Sequence, residues 1–293
     1  MALLEVNNLV KKYGRTKAVA GVSFAIRQGT CFGLLGPNGA GKTTSIEVIE
    51  DIVAPTAGEI LYKGQPRSDT FRAEVGILFQ QTALLSFLTV HETLVTFQNL
   101  YTDTADLQEL ITMCHLQDFL KQYNDRISGG QRQRFMLALA LVNKPELVFL
   151  DEPSTGLDPQ ARRNLWDIVQ DIKADGRTIV LTTHNMEEAQ ALCDEIAIMD
   201  YGRIIARGSP AELIKHHCGG VTVVLPQASA RLSLPALSVP FQLVQDRVEI
   251  MTDDLNACVA ELVARNVDLK DMTVRSPNLE DVFLTLTGRQ LRD

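Results

Sequence analysis

GLLGPNGAGKTTS, residues 33–45, is the stretch whose reading decides the fold. An apolar run gives way to small turn-formers around Gly36, Gly39 and Gly41, and these close on Lys42 and the hydroxyls of Thr43, Thr44 and Ser45. Gly36-x-x-x-x-Gly41-Lys42-Thr43 has the spacing of a phosphate-binding loop (P-loop) set between a strand and a helix. Glycines let successive backbone N–H groups turn inward on a polyphosphate without Cβ clashes, and Pro37, Asn38 and Ala40 complete the loop. The helix opening near Lys42 adds about half a positive charge at its N-terminus. In this pattern Lys42 reaches the β- and γ-phosphates, the Thr43 hydroxyl ligates Mg²⁺, and Thr44 donates to a further phosphate oxygen. A dinucleotide fingerprint is excluded, because Gly39-x-Gly41 is followed by Thr44 where a third glycine is needed.

LVFLDE (147–152) supplies a second element. Four apolar residues predict a buried strand, and Asp151 emerges at its end, where a Walker B carboxylate holds Mg²⁺. Glu152 follows, placed to polarise a water aimed at the γ-phosphate. A wider regularity supports this reading. Gly36, Gln80, Asp151 and His184 each directly follow a short apolar run: GLL, GILF, VFL and IVLTT. Ligands of parallel sheets bind outside the carboxyl ends of the strands, so four such ends predict one constellation. ISGGQRQRF (127–135) predicts another helix start, with Ser128 as N-cap and Gly129, Gly130 and Gln131 in the first turn. The chain therefore carries two half-sites for phosphate, and the pattern leaves open whether they meet within one subunit or between two.

The totals set bounds. With 293 residues, 45% hydrophobic and 22% charged, the chain can bury one large or two modest cores. A net charge of −8 gives no bulk attraction to nucleic acid or to an anionic leaflet. Cysteines 31, 114, 193, 218 and 258 are scattered without a CxxC pair, which argues for a reducing compartment. His216, His217 and Cys218 form the one metal-like cluster and read as plain surface. MALLEVNNLVKK has no signal-peptide pattern, and FMLALALV (135–142) falls far short of the roughly 20 residues of a spanning helix. A chain soluble when expressed alone is expected.

Short strands are predicted in the first 30 residues, including VSFAI (22–26), then a mostly helical region at about 82–145. Ser209-Pro210-Ala211-Glu212 starts a helix that ends near His217. After Gly219-Gly220 come VTVVL, FQLV and VEIMT, the helix DLNACVAELVAR, and PNLEDVFLTLTG. In the last of these, Ser276 and Pro277 start a helix whose Leu279, Val282, Phe283 and Leu286 share a face, with Gly288 as its stop, and that stripe reads as core. The expected fold class is α/β: a P-loop NTPase core with an antiparallel β-subdomain and a helical insertion, plus a small C-terminal α+β domain. The expected domains are 1–215 and 216–293.

Over residues 1–215 the sequence resembles the ATP-binding subunit of ABC transporters. GPNGAGKT is similar to that family's Walker A, Gln80 to its Q-loop, ISGGQ to its signature, LVFLDE to its Walker B, STGLD to its D-loop and His184 to its switch histidine. The resemblance implies a head-to-tail homodimer in which Ser128–Gln131 of one subunit cover ATP held on the Lys42 loop of the other. It implies Glu152 as general base, His184 at the γ-phosphate, Gln80 as a Mg²⁺ ligand that senses the partner, Asp158 as the coupling between sites, and Tyr13 stacked on adenine. Without the family, Tyr13 reads as packing at a strand end. Ile127 departs from the usual leucine, and Leu139 stands where many members carry arginine. SPNLEDVFLTLTGR (276–289) and TTHNMEEAQALCDEIAIMDYGRIIARG further resemble the single-cassette subunits of bacterial multidrug or daunorubicin-type exporters. That implies ATP hydrolysis driving a separately encoded permease that exports drugs, lipids or polysaccharide-type cargo. The permease would grip a groove near Gln80 to Leu88, at the cytoplasmic face of the inner membrane, with no nucleic acid involved. The rival reading is a soluble ABC-type ATPase acting on ribosomes or nucleic acid; such factors normally carry two linked cassettes, and one is present.

Overall fold

Unbroken runs of Val, Ile, Leu and Phe make the central strands, and they are buried on both faces, as a parallel sheet between helices requires. The computed structural model describes residues 2–79, 84–227 and 240–288. In chain order, β1 (Ala2–Tyr13), β2 (Thr16–Arg27), β3 (Cys31–Leu35) and α1 (Lys42–Ile49) lead to β4 (Ala57–Tyr62), β5 (Gln65–Pro66), α2 (Asp69–Glu74) and β6 (Val75–Leu78). Helices α3 (Val90–Gln98), α4 (Leu107–Met113) and α5 (Gly129–Ala140) separate β6 from β7 (Leu147–Asp151). Then come α6 (Pro159–Ala174), β8 (Thr178–Thr183), α7 (Met186–Leu192), β9 (Glu195–Asp200) and β10 (Arg203–Gly208).

The central sheet has six strands in the order β10-β9-β3-β8-β7-β6, parallel except for β10 at its edge. Its register matters for everything that follows. Leu35 pairs with Thr183, Asp151 with Thr182, and Leu78 with Leu150, so the strands end level. A separate antiparallel sheet, β2-β1-β4-β5, shares a core with it: Leu4, Val6 and Leu9 pack in one cluster with Phe32, Leu34, Phe149 and Val180. The Phe24 and Phe32 rings stack at 4.8 Å across the join. Each such fully buried side chain stabilises the fold by roughly 1.5–3 kcal/mol. The last six residues of α5, Phe135–Ala140, are all buried, and the helix ends hard against β6. A Cβ on Gly76 would sit 1.9 Å from the Ala140 carbonyl oxygen, so only glycine admits that approach.

The predicted short strands of the first 30 residues are two strands of twelve residues each. Asn7 and Asn8 break the apolar alternation, but the ladder absorbs them: its register shifts between Val6 and Leu9, with Asn8 at φ 50° and its N–H on the Ser23 hydroxyl.

The described residues divide into two compact units, one up to Pro210 and one from Ala211. The second opens with a helix, Pro210–His217, and contains an antiparallel sheet in the order Phe241–Val244, Arg247–Thr252, Val221–Pro226, Thr273–Arg275. The helix Leu255–Ala264 contributes Cys258 and Leu262 to a core with Val223, Leu225, Val248 and Ile250. The edge strand Thr273–Arg275 was invisible to pattern reading. The final helix, Leu279–Thr287, is capped by Asn278 in a capping box with Asp281, two residues beyond the expected Ser276 start, and Gly288 stops it at φ 62°. Leu279, Val282 and Phe283 are buried, while Leu286, the last residue of the expected stripe, is only half-buried. Among the described residues no helix is long and apolar enough to cross a membrane.

Candidate functional site

The level strand ends bring the predicted residues to one edge. A cleft of about 610 Å³ is walled by Asn38, Gly39, Gly41, Lys42, Thr43 and Thr44 on one side, and by Glu152, Thr155 and His184 on the other. The loop after β3 turns through Gly41 at φ 100°, where a Cβ would meet the Ala18 carbonyl oxygen at 2.4 Å. Backbone geometry and crowding by the hairpin therefore both demand glycine there. Helix α1 starts at Lys42, and its first three residues line the cleft, so the helix N-terminus stands at the wall, the arrangement that suits an anion.

Lys42 is buried, and its Nζ donates to the carbonyls of Gly36 at 2.8 Å and Pro37 at 3.3 Å. It also lies 4.0 Å from Glu152 Oε1. Burial pulls its pKa down, opposed by the charges of Glu152 and Asp151. Asp151 is pushed the other way by burial and by Glu152, while the Thr182 hydroxyl, which donates to its Oδ1, and Lys42 hold it down. The site is thus a compact set of one cation and two carboxylates in a low-dielectric edge.

Glu152 sits in the left-handed region at φ 48°, the signature of a residue held in place by its surroundings. Its N–H donates to the Thr182 carbonyl at 3.0 Å and lies 3.1 Å from the Thr182 hydroxyl. The carboxylate Oε2 accepts from the Thr155 hydroxyl at 3.1 Å and faces His184 Nδ1 at 3.1 Å. His184 follows β8 directly, and Asn185 caps α7 through the amides of Glu187 and Glu188.

The other half-site lies elsewhere on the surface of the same unit. Ser128 caps α5 in a full capping box: its hydroxyl accepts from the Gln131 N–H at 3.3 Å, and Gln131 Oε1 accepts from the Ser128 N–H at 2.8 Å. Ser128, Gly129, Gly130 and Gln131 line a recess of about 400 Å³ together with Gly156, Leu157 and Asp158. Asp158 caps α6 by accepting from the amides of Gln160 and Ala161, both at 2.9 Å. The two clefts have no lining residue in common. Within this chain, then, the second half-site does not complete the first. One strut connects them: Gln133 Nε2 donates to the Pro153 carbonyl at 2.7 Å, linking α5 to the turn after Glu152.

Tyr13 ends β1, half-exposed, with the Lys11 ammonium 5.0 Å over its ring, and it is not part of the cleft wall. Gln80 lies outside the described residues. Pattern reading missed Thr182, Thr155, Ala18 and Glu188. The adjacent hydroxyls Thr182 and Thr183, ending the otherwise apolar run IVLTT, were the one available signal for Thr182.

The family model described as ABC transporter matches residues 19–155. The Nod factor export ATP-binding protein I of Ralstonia nicotianae is 38% identical over 99% of this chain and 95% of its own length. The linearmycin resistance ATP-binding protein of Bacillus subtilis is 34% identical over 99% of this chain and 100% of its own. Among solved structures, a dimeric post-hydrolysis ATP-binding cassette bound to ADP and Pi superposes with a TM-score of 0.63 at 25% identity, covering 70% of this chain and 98% of that one. On the strength of these near-full-length matches, together with a phosphate loop and carboxylate pair on one sheet edge, the chain belongs to the ATP-binding subunits of ABC transporters, a family of ATPases.

Proposed function

We propose that this subunit hydrolyses Mg²⁺-ATP to drive export through a separately encoded permease, as the names of its relatives suggest. In this reading the Walker A residues Gly36 to Thr44 and Tyr13 bind ATP, and Thr43, Asp151 and Gln80 hold Mg²⁺. The donor set suits a hard dication, since hydroxyl, carboxylate and amide oxygens are its preferred ligands. Magnesium would neutralise charge between the β- and γ-phosphates. Glu152 takes the proton of the attacking water, a contribution of about 10²–10⁴-fold. His184 contacts the γ-phosphate and fixes the Glu152 carboxylate. The single observation that carries this is the meeting of Lys42, Glu152 and His184 within 4.0 Å contacts at level strand ends.

The second recess finds its use in a second copy. Ser128, Gly129, Gly130 and Gln131 of one subunit close over ATP on the other, and Asp158 couples the sites, giving a homodimer with two nucleotides at its interface. Residues 1–215, with a helical subdomain at about 82–145, form the nucleotide-binding domain, and 216–293 an accessory domain. The permease supplies attachment at the cytoplasmic face of the inner membrane. Glu152→Gln should bind ATP, lose turnover and sediment as an ATP-dependent dimer that the wild type forms only fleetingly. Wild-type turnover, or a monomer at saturating ATP, would remove the base assignment or the sandwich respectively.

A further inference from the structure

Glu188 is a fully buried carboxyl that the reaction scheme above does not use. It lies four residues past His184, in the first turn of α7. Its Oε1 accepts from Trp166 Nε1 on α6 at 2.9 Å, while Oε2 makes no hydrogen bond of normal geometry. Burial pushes its pKa up, opposed by the hydroxyls of Thr183 and Ser154, by the Trp166 indole and by the nearby His184. Trp166 is itself braced by the Arg162 guanidinium, 5.7 Å over its ring. One side chain therefore touches or faces the end of β8 that carries His184, the turn that follows Glu152, and the helix that Asp158 caps.

A buried carboxyl is an expensive way to hold a helix in place. An apolar side chain of similar volume is often as stabilising or more so, because it pays no desolvation. A polar group at this junction calls for a directional task. Helix α7 begins immediately after His184, so any slide or rotation of α7 carries the imidazole with it, and the 3.1 Å contact with Glu152 depends on that placement. We propose that Glu188 is a positioning residue for hydrolysis: through Trp166 it sets where α7 starts, and so holds His184 against the Glu152 carboxylate. The inference rests on the reading of Glu152 as base.

The test compares Glu188→Leu, Glu188→Gln and Trp166→Phe, measuring kcat and the KM for ATP beside a thermal melt. Misplacement of a reacting group by about 1 Å can cost up to roughly a hundredfold, and a loss of about tenfold in kcat is expected for Glu188→Leu. The KM for ATP should stay within about twofold and the melting temperature should not fall, since leucine avoids the desolvation of a buried carboxyl. Glu188→Gln keeps the acceptor for the indole and should restore most of kcat. Trp166→Phe, at a partly exposed position, removes the indole donor while keeping an aromatic ring under Arg162, and should reproduce the loss even if the leucine variant folds poorly. Full kcat in both the leucine and phenylalanine variants, or a glutamine variant as impaired as leucine, overturns the positioning role. If Glu152→Gln hydrolyses ATP at full rate, the base assignment fails and this inference fails with it, a result distinguishable from the first two.

Discussion

The two recesses of the nucleotide-binding unit are built on the same device and differ in everything around it. Each presents the N-terminus of a helix behind glycines, α1 at Lys42 and α5 at Gly129. The first adds a buried ammonium, the Glu152 carboxylate and an imidazole in contacts of 4.0 Å or less, with Asp151 at the end of the strand beside them. In the second, Ser128 and Gln131 turn back on their own backbone, and Asp158 is committed to capping α6. Charge is concentrated where chemistry is to happen. The other face offers backbone dipoles and small residues beside Arg134, Gln160 and Asn164, which suits covering a ligand already held. In the proposed dimer, a site divided in this way makes turnover depend on the encounter of two copies, whereas binding does not.

That contrast can be broken by substitution. The largest effect is expected for Lys42→Ala, which removes the buried cation from the first recess. ATP affinity measured by calorimetry should fall by about a hundredfold, in line with roughly 1.5–3 kcal/mol for a hydrogen bond to a charged group; unchanged affinity would show that the loop amides alone suffice. Ser128→Ala probes the other face. Loss of the cap costs about 1 kcal/mol, so turnover should drop about fivefold, while the affinity of the monomer for ATP stays as it was. Equal damage to monomer binding would erase the distinction between a binding face and a covering face.

The smallest effect concerns a group near the first recess but outside it. Glu50, at the end of α1, is raised to about 8 chiefly by burial and then by Asp151 and Glu47. Its folded pKa lies above its unfolded value, so the native state binds the proton more tightly. Its contribution to stability is present below the unfolded pKa and is lost as pH rises through about 8. Glu50→Gln should therefore melt with the wild type at pH 5 and a few degrees above it at pH 9, by about 4 °C per kcal/mol at this size or less. Parallel melting curves at both pH values would rule out the buried proton.

Much of this was legible in the sequence because it is local. The P-loop spacing, the Ser128 cap and the acid pair after LVFL each declare themselves within a dozen residues. The contacts that tune the site do not. Thr182 reaches Asp151 and the Glu152 amide only because β7 and β8 pair in one register, across about thirty residues of chain. Ala18 crowds Gly41 from a different sheet, and Glu188 meets Trp166 only when α6 and α7 have packed. Periodicity reports which face of an element is buried; it carries nothing about which neighbour covers that face. The length of β1 escaped for a related reason, since a bulge at Asn8 satisfies by pairing what local alternation denies.

The left-handed backbone of Glu152 sets two demands against each other at one position. A residue with a Cβ in that conformation costs of order 1–3 kcal/mol, and glycine would relieve most of it. Replacement by glycine should thus make the protein harder to melt while silencing it, so selection for durability alone would erode the reaction. Glutamine, by contrast, carries the same backbone penalty as glutamate, and any change it brings belongs to the lost carboxylate.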